Sequence, residues 1–337
     1  MNDKRFNIFL QAMITLSLAA TAWSQDVLVT QGANSTDKSK RQGVITEWLG
    51  HQITLEQSGR ARQIDSNTVV EIQTKWPDSY QQATDLMQQR RFDEAVRPLQ
   101  TAINAETRPW AQRAIGGKLI ECYLSTGNEA LAIDEFVAIA RDDPNTRFYN
   151  LAPLPWVSTV AMGNISRHAD AWMESAEPVE KLMGAAWSLS GPRRKTAIAA
   201  LKELSGSQNS SVAALAKSQL WRTESISAKS DTLRRWKSEL NLMPRPVRAG
   251  AYLMLADAQA RNKMEDEAAT NLMRIAVLYP EQHGLAATAL YRCANLRQNA
   301  GHTDESRTLW AEILRDYSNT IWAKQASAHL NESNSKN

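Results

Sequence analysis

The sequence predicts a mainly α-helical fold: a solenoid of helical hairpins preceded by a small β-barrel-like module. Three observations lead to it. From Ala249 to Ser318 the set Tyr252, Leu255, Ala256, Ala268, Leu272, Ile275, Tyr279-Pro280 is followed, 38 residues on, by Leu290, Cys293, Ala294, Gly301, Ser306, Trp310, Ile313, Tyr317-Ser318. A large residue, a small one beside it, and a small one opening the next helix suit two antiparallel helices that cross closely. A similar pattern stands between Trp76 and Pro144, and between Gln42 and Lys75 the apolar period drops from helical to alternating.

Taken in order, the chain opens on Met1 to Asn7 with Lys4 and Arg5, then a short apolar run from Ile8 to Ala22 and the small residues Ala22 and Ser24 flanking Trp23. This reads as a secretory signal peptide over residues 1–24, cleaved after Ser24. Gln11, Thr15 and Ser17 interrupt the run, which is short for a membrane span. No run of spanning length follows, so a periplasmic or secreted protein without a transmembrane segment is expected. Residues 25–41 read as a polar tether.

The module at 42–75 is expected to hold four short strands: Val44, Thr46 and Trp48, then Ile53 and Leu55, then Ile64, then Val69, Val70 and Ile72, with turns at Leu49-Gly50 and Ser58-Gly59. It resembles the small SH3-like barrels of bacterial envelope proteins. Packing of this module on the first repeat helix accounts for it without any ligand.

Residues 76–144 give two hairpins. Pro77-Asp78-Ser79 starts a helix, Arg91-Phe92-Asp93-Glu94-Ala95 turns into its partner, and the pattern returns with Leu119, Ile120, Tyr123, Gly127 and Ala132. Together with 249–330 these stretches resemble the tetratricopeptide repeat, which implies a scaffold that binds protein or peptide partners. Gly116-Gly117 and Pro98 depart from the pattern, and packing explains them more simply than close approach to a ligand. Over 145–248 the repeat spacing is lost, but helical periodicity persists in five segments that read as degenerate hairpins. Asn150 to Trp156, with its two prolines, is a loop expected to dock on the preceding hairpin. Trp322, Ala326 and Leu330 make a capping helix, and 331–337 a polar tail.

Composition narrows the function. A formal charge of +3 on 337 residues gives no concentrated basic face, so nucleic acid is not an expected partner. Cys122 and Cys293 fall on apolar helix faces and read as core residues, with no Cys or His at metal-ligand spacing. His168 and Asp170 are the one acid–base pair on offer, with no nucleophile placed beside them. No Gly-x-Ser-x-Gly or His-Glu-x-x-His motif occurs. No catalytic residue, metal or cofactor is therefore assigned.

The candidate site is a partner-binding groove formed where residues rotate away from the core: Leu253, Asp257 and Arg261 in one repeat, Tyr291, Asn295 and Gln298 in the next. Carboxylate, guanidinium, amide and phenol on adjacent turns suit an extended peptide. The leading reading is an exported, non-enzymatic scaffold for other envelope proteins. The alternative is a cell-wall or glycan-binding module, which would use the β module and require several tryptophan rings to be exposed.

Overall fold

The computed structural model describes residues 25–32, 36–157, 161 and 163–334. The expected signal peptide lies outside the described residues. Five strands come first: β1 (Asp26–Gln31), β2 (Lys38–Leu49), β3 (Gln52–Gln57), β4 (Arg60–Asp65) and β5 (Val69–Gln73). They form one antiparallel sheet in the order β4-β3-β2-β1-β5.

Two expectations are corrected here. The segment read as a tether supplies β1 and the first half of β2, which pair from Asp26–Gly43 to Gln31–Lys38. Lys38, Ser39, Lys40 and Gln42 point into solvent, so backbone bonding holds a strand whose side chains look like linker. The buried side chains of β2 are Ile45 and Trp48, not a strict Val44-Thr46-Trp48 alternation. A register shift between Ile45 and Glu47 turns both inward.

Fourteen α-helices follow among the described residues. Two hairpins come first, α1 (Asp78–Gln88) with α2 (Phe92–Ala105) and α3 (Pro109–Ser125) with α4 (Glu129–Asp142). The middle holds α5 (Gly163–Met173), α6 (Pro178–Ser188), α7 (Arg194–Leu204), α8 (Ser210–Trp221) and α9 (Ser230–Leu242). Two more hairpins, α10 (Ala249–Arg261) with α11 (Glu265–Leu278) and α12 (His283–Asn299) with α13 (Thr303–Asp316), lead to α14 (Ile321–Asn334). The polar tail therefore begins later than expected, because helical bonding carries through Asn331 to Asn334.

The four regular hairpins share one construction. Each turn holds a residue in the left-handed region, at Arg90, Gly127, Lys263 and Gly301. Just beyond it, Ala95, Ala132, Ala268 and Ser306 have no exposed surface. Their amides donate to the carbonyls of Arg91, Asn128, Met264 and His302, which locks the entry to each second helix. A single hydrophobic core runs from Ala83 through the middle helices to Cys293. A second, smaller core joins α12, α13 and α14 around Trp310.

The solenoid bends far enough for its ends to meet. The Arg90 guanidinium donates to the Asp316 carbonyl, stands 3.6 Å from its carboxylate and lies 5.7 Å over the Tyr317 ring. Asn319 donates back to the Arg90 carbonyl, and Phe92 sits 4.7 Å from the His283 ring. Helices α3 and α12 also touch. The result is a ring of helices closed by its first and last regular hairpins.

Candidate functional site: the central cleft

The ring and the sheet together enclose a cleft. The sheet is fixed to α3 and α4: the Trp110 indole donates to the Ile45 carbonyl at 3.0 Å, Arg113 to that of Trp48 at 2.8 Å, and the Gly50 amide to the Asp143 carboxylate at 2.8 Å. Trp110 and Ala111 complete the core of the sheet with Leu28, Ile45, Trp48 and Ile53. The module thus packs on α3, where the sequence placed it on the first repeat helix.

Between sheet and ring lies a cleft of about 980 Å³. Trp48, His51 and Asn67 line it from the sheet, Trp76 and Tyr80 from the start of α1, and Gly117, Lys118 and Glu121 from α3. The far wall is Arg245, Pro246, Arg248, Tyr252 and Tyr279. The connection after α4, a 3₁₀ turn over Arg147–Leu151, forms the floor.

Arg147 stands at the centre. Its guanidinium lies 3.8 Å from the Trp48 ring centroid and 4.6 Å from that of Phe148. Phe148 can sit there only because Gly117 has no side chain, since a Cβ at Gly117 would lie 2.3 Å from its ring. The glycine pair thus serves packing, Gly117 against Phe148 and Gly116 against Glu135 and Ile139 of α4. Among the described residues Arg147 has no carboxylate or carbonyl at bonding distance, and burial pulls it down to about 10. Burial raises Tyr80 and, against the opposing Lys118 ammonium at 3.0 Å, Glu121.

Glu121, Asn150, Leu151 and Glu281 also border a second cavity of about 450 Å³. This one is more apolar, lined by Leu154, Pro155, Trp156, Trp187, Leu285 and Trp322. The prolyl loop holds one side of it. Trp187 donates to the Pro153 carbonyl at 3.0 Å, and Trp156 packs on α10 at Gly250, where a Cβ would strike its ring. The loop consequently docks on α6 and α10 as well, while the 3₁₀ turn that opens it touches α3 of the hairpin before it. Sequence spacing gives no hint of α6 or α10 as partners.

Of the groove residues expected from the sequence, Arg261 and Gln298 are exposed and the other four are buried or half-buried. Leu253 is buried and borders the apolar cavity. Asp257 is ion-paired with Arg292, and Arg261 donates to the Ser225 carbonyl at 2.8 Å. Tyr291 stacks 4.6 Å from Trp322 and bonds His329 at 3.2 Å, while Gln298 accepts from Ser306 at 2.7 Å. Asn295 is half-buried. Helix α14, packed on α12 and α13, covers the Tyr291 end of this surface.

Other expectations resolve around these walls. The Asp170 carboxylate is 3.2 Å from Arg193, and His168 meets the Trp172 ring edge-on instead of forming an acid–base pair. Arg234 pairs with Asp231 and Arg235 with Glu224, as solvated helix faces do. Cys122 and Cys293 are free and buried, with thiols pushed up to about 12 and about 11. All ten tryptophans after Trp23 are buried or partly covered. Among the described residues no helix is long and apolar enough to cross a membrane.

A family model described as tetratricopeptide repeat matches residues 251–281, the span of α10 and α11. Neither a curated protein nor a solved structure matches the chain.

Proposed function

We propose that this chain is an exported, non-enzymatic scaffold that holds other proteins of the cell envelope by a segment lodged in the central cleft. A repeat match over α10 and α11 speaks for a role in protein–protein interaction. The observation that carries the reading is that the ring turns its aromatic and cationic side chains inward, toward a space large enough for several residues of extended chain. Export rests on the basic start, the apolar run and the small residues before Gln25. The 3₁₀ turn at Ser66–Thr68 leading into β5, and the return of β5 beside β1, favour an SH3-like module that serves as one wall. Six of the ten tryptophans after Trp23 are buried and none is exposed, which speaks for the scaffold over a glycan-binding reading.

The test is affinity purification of the tagged chain from cross-linked envelope, beside an Asn150→Trp variant that fills the junction of the two cavities. A protein recovered with the native chain and lost with the folded variant supports the scaffold. An identical background from both rules the cleft out. Sequencing of the secreted chain should begin at Gln25, and an intact amino terminus on cytoplasmic protein would sink the export component.

A further inference from the structure

We infer that the cleft recognises acidic segments: Arg147, backed by Arg245, receives an Asp or Glu carboxylate of the bound partner. This rests on the peptide-binding reading and adds its chemistry. The first observation is an unmet donor set. A guanidinium carries five N–H groups in a planar fork, and stacking on Trp48 satisfies its face while leaving the edges for a coplanar acceptor. Among the described residues none of those edges has a protein acceptor. Arg147 is half-buried and faces the cleft, so a ligand carboxylate can meet those edges with two charge-assisted bonds.

The second observation is the charge around it. Lys118, Arg245 and Arg248 face the same cleft, against Glu121 and Glu281. Lys118 and Glu121 neutralise each other at 3.0 Å, and Arg248 is spent on the Met243 and Asn241 carbonyls. Arg245, exposed on the opposite wall, has no side-chain partner among the described residues. Two guanidiniums thus remain for ligand. Glu281 stands at the boundary with the apolar cavity, so it repels a carboxylate placed there and confines it to the Arg147 end. A ligand that fills both spaces has an acidic residue in the first and an apolar one in the second. Sugar rings suit the cleft less well, because Arg147 covers the Trp48 face and Trp76 and Tyr80 stack on each other at 4.3 Å.

The experiment is selection of a random peptide library displayed on phage against the immobilised full chain, with Arg147→Gln and Arg245→Gln as comparison baits. Peptides selected by the native chain are expected to be rich in Asp and Glu beside an apolar residue. A representative peptide should bind about tenfold more weakly to each variant, and Glu→Gln in the peptide should cost a similar factor. Arg245 holds the fold through its carbonyl, which accepts from the Tyr279 hydroxyl and the Arg248 amide and is kept in the variant, so Arg245→Gln decides the matter even if Arg147→Gln destabilises the chain. Selected peptides without acidic enrichment, or binding unchanged in the variants, overturn the inference while peptide binding itself stands. Failure to select any peptide overturns both.

Discussion

The four regular hairpins and the middle helices solve the same packing problem by different means. In α1/α2, α3/α4, α10/α11 and α12/α13 a left-handed turn residue reverses the chain, and a small residue with no exposed surface lets the helices close. The rule is local and therefore repeats along the sequence. In the middle, the α5–α6 crossing is set by Gly184, where a Cβ would lie 2.4 Å from the Met173 amide nitrogen. The α7–α8 corner is stitched by one side chain: Asn209 caps α8 through the Ser211 and Val212 amides and donates to the Pro144 carbonyl at 2.6 Å. Repeat spacing vanishes where the geometry depends on single residues. The core nevertheless runs through unbroken.

The largest test of that contrast lies in the two cores. Trp236 is fully buried in the main one, stacked 4.8 Å from Trp221, and Trp310 is the corresponding mass in the small one. Each Trp→Ala change should cost roughly 3–5 kcal/mol. W236A is expected to lower the melting of the whole chain in one transition. W310A should release α12 to α14 first, visible as hydrogen exchange confined to 283–334. If W310A melts everything at once, the cores are a single cooperative unit and the separation drawn here is wrong.

Next comes the crossing at Gly184. In a helix interior Gly→Ala ordinarily gains about 1 kcal/mol. Here the added methyl meets the backbone of α5, at Ala169 and Met173, which cannot step aside as a flexible side chain can. G184A should therefore be destabilising, by roughly 1–3 kcal/mol in chemical denaturation. A stabilised variant would show that α5 and α6 have room to part.

These contrasts explain what could be read from the chain. Helix positions and hairpin turns were legible because Ala95, Ala132, Ala268 and Ser306 recur with apolar neighbours at helical spacing. The first strand was missed because the Lys38 to Gln42 ladder that it pairs with exposes polar side chains, and periodicity records side chains, not backbone bonds. The site was illegible for a further reason. Trp48, Arg147 and Arg245 meet only through ring closure and sheet docking, and the contacts that bring them together bridge long stretches of chain. Gly117 was the one local clue. Of the expected groove, Tyr291 is covered from farther along the chain by α14, of which rotation away from one core said nothing.

Ring closure itself joins two regular hairpins and bypasses the middle, which a pH series can separate. Burial, with Arg90 and Lys118 nearby, lowers His283 from the usual 6.5 to about 4. The unfolded chain thus takes up a proton that the folded one refuses, and stability contributed by the neutral ring is lost as pH falls from about 6.5 to about 4. Asp316, held below its normal range chiefly by Arg315, loses stability on acidification too, so the informative quantity is a difference. His283→Phe keeps an aromatic ring against Phe92 and Tyr317. Its melting temperature should fall less steeply than that of the native chain across this window, and parallel curves would remove His283 from the closure.

The smallest effect tests the turn rule directly. Lys263 and Gly301 hold the same place in successive hairpins, at φ of 61° and 84°. An L-residue there strains its Cβ against its own carbonyl by roughly 1 kcal/mol, while glycine escapes that strain at the expense of greater freedom when unfolded. A Cβ at Gly301 would meet nothing within 4 Å, so Gly301→Ala reports backbone strain alone and should destabilise by about 1 kcal/mol. Lys263 is exposed, and Lys263→Gly should move the other way by a few tenths up to about 1 kcal/mol. Opposite signs at equivalent positions would mean that the backbone of the turn, and not the residue found there, defines the repeat. Equal signs would mean that each hairpin, like those of the middle, depends on its own side chains.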